Sequence, residues 1–397
     1  MEILSTRVSQ MAPSATMAMN QRTRDLKAKG VDVINLSVGE PDFPTPDNIK
    51  KAAIDAINNN FTYYPPATGF QDLREAIVEK FKRENNLDYK VSQTLITVGA
   101  KNALAYAILA LVDKGDEVIV PEPYWVTYAE LVKLAEGKNV FLPSTYKTDF
   151  KVSPEEIEAA ITPKTKAILL CSPSNPSGAV YSEEEIRAIG KIVEKHPRIF
   201  VITDEIYEHI NFVGEHFSMA NIDSIKDRTV VINGVSKSYA MTGWRIGYMA
   251  ATEEIIKACT KLQGQILTGP TTIAMKAATE ALNADQGFIK EMLEVFRTRR
   301  DLVIARLNEI DDMQFNIPEG AFYVFPNIKS YFGKTDGKRT VNTAEEFCIY
   351  LLEEAHVGTV PGEAFGNPDC FRISYASSEE ILNEAMDRIK VAVNKLK

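Results

Sequence analysis

The sequence predicts an α/β fold, with a mostly parallel sheet covered by helices on both faces and a smaller α+β domain after it. Three observations predict it. From about residue 95, short β-branched runs alternate with helical stretches. Those runs are apolar almost throughout, as strands buried on both faces must be. After about residue 285 the texture changes to long charged helices around few strands. The candidate strands of the first part are Leu95–Val98, Glu117–Val120, Val140–Leu142, Ala167–Cys171, Phe200–Thr203, Val230–Asn233 and Ile246–Ala250. Helical periodicity places helices between several of them, at Lys101–Val112, Tyr124–Ala135, Glu183–Glu194 and Glu253–Gln263. In the second part a helix runs from Gly287 to about Asn308, with Arg297-Thr-Arg-Arg-Asp301 as a solvated face. Strand-like Gly320–Phe325, a helix near Thr343–Ala355 and a last helix from Ser378 follow. The pattern divides the chain into a large domain of residues 47–285 and a small domain made of residues 1–46 and 286–397. No repeat or low-complexity stretch interrupts it.

Composition narrows the function. A chain of 397 residues can bury two sizeable cores. Its net charge of −9 argues against a general nucleic-acid binder while leaving room for a locally positive pocket. Cys171, Cys259, Cys348 and Cys370 have no CxxC spacing, and His196, His209, His216 and His356 no ligand spacing. Neither a metal site nor a disulfide framework is therefore expected, and free thiols suit a reducing compartment. The longest apolar run, Ala103–Val112, is too short to span a bilayer. The first residues lack the charged and apolar regions of a signal peptide, so a cytoplasmic protein is expected.

Five features fall at strand ends or in loops, where the ligands of such sheets bind. Val98-Gly99-Ala100-Lys101 is a strand running into a helix, whose first N–H groups offer a phosphate seat. Ser172-Pro-Ser-Asn175-Pro-Ser-Gly178 is a loop stiffened by two prolines, able to present the Asn175 amide in one orientation. Asp204 ends an apolar strand, where a carboxylate is costly without a cation or donor, and Tyr207 follows three residues later. Read alone, Asp204 could equally be a helix N-cap. Lys237 lies just past a strand, eight residues before Arg245. Such a lysine can bond covalently to an aldehyde cofactor while the arginine grips that cofactor's phosphate. Finally, Arg372 is embedded in the apolar run Phe371-Arg-Ile-Ser-Tyr375 and needs a carboxylate partner, which a substrate could supply.

Taken in order, these motifs resemble the class I, pyridoxal-phosphate-dependent aminotransferases, close to the bacterial aspartate aminotransferases. The resemblance runs from about Ser14 to the C-terminus. It is carried by Gly39-Glu-Pro-Asp-Phe43, Tyr64-Pro-Pro-Ala-Thr-Gly69, Pro123-Tyr-Trp125, Asn175-Pro-Ser-Gly178, Asp204-Glu-Ile-Tyr207, Ser236-Lys237 with Arg245, and Pro318-Glu-Gly-Ala-Phe-Tyr323. It implies a pyridoxal-phosphate-transferase type of fold, a pyridoxal 5′-phosphate cofactor, and a homodimer with shared active sites. Lys237 would hold the cofactor covalently and then move the substrate's α-proton. Asp204 would pair with the ring nitrogen, Tyr207 and Asn175 with the ring's phenolic oxygen, and Trp125 would stack on the ring. Gly99, Ala100, Lys101 and Arg245 would surround the phosphate, with Tyr64 reaching it from the other subunit. Gly39, Asn175 and Arg372 would hold the substrate's α-carboxylate.

Two positions depart from the family pattern. Where many members place a phosphate-contacting serine, three residues before the lysine, this chain has Gly234, with Ser236 a possible substitute. No arginine lies between Arg245 and Arg297, so the distal-carboxylate arginine of one branch is absent. The chain resembles instead the branch in which a lysine of the phosphate loop, here Lys101, reads that carboxylate, with Ser14 and Thr16 assisting. The implied reaction is ping-pong transamination of L-aspartate and 2-oxoglutarate. The alternatives are an aromatic, prephenate or alanine aminotransferase, more remotely a C–S lyase, and most remotely a transcriptional regulator built on this fold.

Overall fold

The computed structural model describes residues 3–397. Its centre is a seven-stranded sheet of β1 (Thr94–Thr97), β2 (Glu117–Pro121), β3 (Lys138–Leu142), β4 (Thr165–Cys171), β5 (Phe200–Asp204), β6 (Thr229–Gly234) and β7 (Gly247–Ala250). The spatial order is β1-β7-β6-β5-β4-β2-β3. Neighbours from β6 to β3 pair parallel, whereas β7 runs antiparallel to both β6 and β1. The expected strands all form, with ends moved by a residue or two. The mid-sheet strands are buried along nearly their whole length, which is why their sequences are apolar without alternation.

Helices cover both faces. Gln71–Asn85 and Thr272–Asn283 pack their apolar residues on one side with Ile96, Val231 and Tyr248. Ala100–Leu111 and Glu253–Ile266 pack on the other with Leu95, Val118 and Ile232. Local chemistry sets their starts. Ser182 accepts from Glu185 N–H while the Glu185 carboxylate accepts from Ser182 N–H, a reciprocal cap for the helix Glu183–Lys195. The helix expected from Tyr124 begins at Thr127, since Tyr124 is bonded through its N–H to Phe365 of a distant loop.

The remaining chain forms a second core. Its apolar residues come from both ends of the sequence: Met19, Val33 and Leu36 pack with Phe296, Phe347, Leu382 and Ile389. Ile34–Asn35 pairs in parallel with Val357–Gly358. Val360–Pro361, Phe371–Ser374 and Tyr323–Val324 form a small antiparallel sheet. The strand expected over Gly320–Phe325 shrinks to two residues because Ala321, at φ +56°, turns the backbone out of the extended region. The helix expected near Thr343–Ala355 is α-helical over Ala344–Tyr350 and widens to a π-turn over Leu351–Ala355. Among the described residues, no helix is long and apolar enough to cross a membrane.

Candidate active site

The C-terminal ends of β4 and β5 and the loop after β6 open on a cavity of about 320 Å³, which Gly39, Tyr323 and Arg372 also line. Of the residues singled out in the sequence, Gly39, Ala100, Lys101, Trp125, Asn175, Asp204, Tyr207, Lys237, Arg245 and Arg372 line it. Ser14, Thr16 and Ser236 line it as well. Gly99 stands just behind Arg245 and shapes the wall without lining it. Tyr64 is the exception. It is 91% exposed and lies outside this cavity.

Asp204 ends β5 with its carboxyl buried. Tyr128 Oη donates to Oδ2 at 2.7 Å and the Ile206 N–H donates to Oδ1 at 3.3 Å. Burial pushes its pKa up to about 6, against the pull of the Tyr128 hydrogen bond. Lys237 Nζ donates to Gly39 O at 2.6 Å. Burial dominates there too and lowers the amine to about 8, with Arg372 and Arg245 adding positive charge and Glu40 opposing. The site thus holds a carboxyl with raised pKa and an amine with lowered pKa, the pattern that burial creates where protons must move near neutrality.

Arg372 is 1% exposed. Its Nη1 donates to Asn175 Oδ1 at 2.9 Å and its Nη2 to Ser37 O at 2.7 Å, while its Nε has no partner. Tyr323 and Phe365 flank the guanidinium at 4.4 and 5.0 Å, fixing its plane. The Tyr207 and Tyr323 phenols share a hydrogen bond of 2.8 Å. Lys101 Nζ sits 4.7 Å from the centre of the Trp125 ring, and burial with the nearby Arg245 charge lowers its pKa.

The wall around Arg245 is built by close backbone packing. Gly99, at φ +76°, turns the chain from β1 into the helix Ala100–Leu111, and a Cβ there would collide with the Arg245 guanidinium. A Cβ on Gly247 would collide with the backbone of Gly99 and Ala100. A Cβ on Gly234 would lie 2.9 Å from Gly247 Cα. That explains the first departure from the family pattern, because a serine at 234 has no room, whereas Ser236 faces the cavity.

Two tyrosines of the cavity, Tyr128 and Tyr323, have no role assigned from the sequence. Tyr128 stands three residues after Trp125, its ring edge-on to the indole at 5.6 Å, and that spacing was the one signal available. Tyr323 closes a quoted motif, but only the fold brings it to Tyr207 and Arg372.

The family model for "Aminotransferase class I and II" matches residues 31–389. A protein of Rhizobium leguminosarum bv. phaseoli described as a probable aspartate/prephenate aminotransferase is 49% identical over 98% of both chains. The aspartate aminotransferase of Bacillus subtilis is 47% identical over 99% of both. Among solved structures, the aspartate aminotransferase of Rhizobium meliloti superposes with a TM-score of 0.95 at 44% identity, covering 99% of both chains. That of Thermus thermophilus with maleate gives 0.93 at 41%, covering 99% of this chain and 100% of its own.

Proposed function

Because the chain belongs to the class I and II aminotransferases and is an enzyme of that type, we propose that its cavity binds pyridoxal 5′-phosphate and transfers the amino group of L-aspartate to 2-oxoglutarate. The products are oxaloacetate and L-glutamate. The observation that carries this reading is the convergence on one cavity of a buried carboxylate, a lysine of lowered pKa and a buried guanidinium with an unpaired Nε.

The residues fit the cofactor. Asp204 is a buried carboxylate with no cation bonded to it, and a protonated ring nitrogen would be its counter-charge. Arg245 and the first N–H groups of the helix Ala100–Leu111 suit a phosphate dianion. When bound, pyridoxal phosphate supplies an electron-poor ring that takes up the electron pair left at the substrate's α-carbon. Asp204 keeps the proton on the ring nitrogen. Tyr207 and Asn175 would hold the ring's phenolic oxygen, and Trp125 would cover a ring face. Lys237 takes the α-proton at Nζ and later returns a proton from the same atom. An amine titrating near 8 is partly in its free-base form at neutral pH, which this step requires. Arg372 and Asn175 hold the α-carboxylate beside Gly39. Lys101, with Ser14 and Thr16 on the same wall, meets the distal carboxylate.

Tyr64 extends the reading to a homodimer with shared sites. It lies beside Tyr63, which is 81% exposed, on a loop packed against Gly269 and near the exposed Ile266 and Leu267. A second copy covering this apolar face would bring Tyr64 to its partner's phosphate seat. Residues 47–285 act as the large domain, and residues 1–46 with 286–397 as the small one, in keeping with the core described above, most of which comes from those two stretches. The four free cysteines suit the cytoplasm.

The test is the visible spectrum of the cofactor-loaded protein before and after L-aspartate is added without a keto acid. A yellow form that bleaches to the pyridoxamine form supports cofactor, half-reaction and donor together. A yellow protein indifferent to aspartate rejects the donor, and one that stays colourless with added cofactor rejects the whole reading. A second reading, that prephenate also serves as an acceptor, is favoured by the description of the Rhizobium leguminosarum relative. Rates with prephenate and 2-oxoglutarate compare the two.

A further inference from the structure

Directly after Asp204 and Tyr207, the chain buries a set of charges that the chemistry above does not use. Glu208 is 5% exposed and Lys80, from the helix Gln71–Asn85, is fully buried. Lys80 Nζ donates to Glu208 Oε1 and, at 2.7 Å, to Asn85 Oδ1. Asn85 Nδ2 donates to Glu208 Oε2 at 2.7 Å. Glu208 Oε1 also accepts from Asn233 Nδ2 at 2.7 Å, and Asn233 Oδ1 accepts from the Gly234 N–H at 2.7 Å. This first arm runs from a surface helix to the end of β6.

The second arm lies beside it. His209 Nε2 is 2.8 Å from Glu84 Oε2, and His209 Nδ1 is 2.7 Å from Ser238 Oγ. An ionised carboxylate only accepts, so Nε2 carries a proton and Nδ1 is the atom that meets the serine hydroxyl. Carboxylate, imidazole and hydroxyl stand in the order of a hydrolytic triad. Ser238, however, is 1% exposed and lies outside the cavity, so its hydroxyl has no electrophile to attack. The same acids and imidazole lie close enough to ligate a metal ion, but Lys80 Nζ already stands among them, 3.7 Å from Glu84 and bonded to Glu208.

Both arms begin on one helix (Lys80, Glu84, Asn85), pass through the residues that follow Asp204 and Tyr207, and end on the two sides of Lys237. We propose that Glu208 and His209 are positioning residues that set Lys237 against Asp204, through Asn233 on one side and Ser238 on the other. The proposal rests on the reading of Lys237 as the proton-transferring amine. A packed apolar cluster would fill this volume at lower desolvation cost, so the buried charges are explained by the fixed geometry they impose. Displacing a reacting group by about 1 Å costs on the order of 100-fold in rate.

The test compares His209→Asn, which keeps an amide where Nδ1 meets Ser238, with His209→Gln, which keeps one where Nε2 meets Glu84, and with Ser238→Ala. In transamination, kcat should fall about ten-fold in His209→Gln and Ser238→Ala, with KM for the amino acid within about two-fold, while His209→Asn stays nearer the parent. In the cofactor-free protein, the pH midpoint at which Lys237 reacts with an amine reagent should move in the same two variants. Equal loss in both histidine variants, tracking thermal stability, would mean that the network only holds the fold and would overturn the proposal. So would parent-like kcat and an unmoved Lys237 midpoint in Ser238→Ala. If the parent protein itself fails to transaminate, the functional reading fails, and the Lys237 midpoint still decides whether the brace exists.

Discussion

Replacing Tyr128 by phenylalanine should make the stability of the folded protein fall with pH over a wider range. Asp204 has two donors, the Tyr128 hydroxyl at 2.7 Å and the longer Ile206 N–H at 3.3 Å. Burial sets its pKa at about 6 even with both in place. A hydrogen bond to a charged group is worth roughly 1.5–3 kcal/mol. Losing it raises the pKa by about one to two units, to between ~7 and ~8. The sign follows from linkage. The folded carboxyl binds its proton more tightly than the usual 3.8, so this stabilising contribution is complete below about pH 4 and is lost as pH rises through the folded pKa. In the parent that loss ends near pH 6, whereas in the variant it continues to about 7–8. Lys237, whose charge also lowers the Asp204 pKa, is present in both proteins and is common to the comparison. The assay is the thermal midpoint of the cofactor-free protein at fixed protein concentration, from about pH 5 to about pH 9. The two curves should differ by a constant offset up to about pH 6 and then separate, by about 1.5–3 kcal/mol above pH 8. A difference that is the same at both ends of the range would refute the assignment of Tyr128 as the donor that keeps Asp204 ionised.

Three further outcomes are expected. Lys237→Met should abolish transamination and stabilise the cofactor-free protein below pH 8 by about 3 kcal/mol, because the native amine is depressed from 10.5 to about 8. Since the unfolded lysine binds the proton in that window, the gain should fade between pH 8 and 10.5, and denaturation at both limits checks it. Arg372→Lys keeps the charge but loses the fork anchored on Asn175 and Ser37, so KM for aspartate should rise about 10- to 150-fold, the equivalent of one charge-assisted bond. Steady-state kinetics with aspartate would show this, and an unchanged KM would remove Arg372 from the carboxylate site. Lys101→Ala should lower the ratio of aspartate to phenylalanine efficiency by roughly ten-fold or more. An unchanged ratio would confine Lys101 to the cofactor side.

The strands were legible because their burial on both faces left apolar runs too plain to misplace, and the cavity was legible because it gathers residues from the ends of those strands. The reversed direction of β7 was not read, although a signal existed. Between Val230–Asn233 and Ile246–Ala250 there is no helical stretch to carry a crossover, and parallel neighbours need one. Tyr64 was placed by resemblance alone, and within the single chain it is exposed and does not line the cavity. Tyr128 and the Lys80–Glu208 pair escaped for a different reason. A tyrosine after a tryptophan, or a lysine in a charged helix and a glutamate far along the chain, looks the same in sequence whether it is solvated or buried. Only the packing of the Gln71–Asn85 helix beneath β6 turns Lys80 from a surface charge into an enclosed one.

The three glycines in the wall around Arg245 bear on how this enzyme can change over evolutionary time. Gly234 abuts Gly247, Gly247 abuts the backbone of Gly99 and Ala100, and Gly99 abuts Arg245. Main chain thus rests on main chain across three separate strand ends, and no single substitution can enlarge any one of them without displacing the next. In this chain, a larger residue at this corner therefore needs simultaneous moves at several sites, as the family members with serine at the position of Gly234 must have made. Ser14, Thr16 and Lys101, by contrast, meet the cavity and are half-buried or exposed. Single substitutions are accommodated there one residue at a time, with the glycine corner inherited intact.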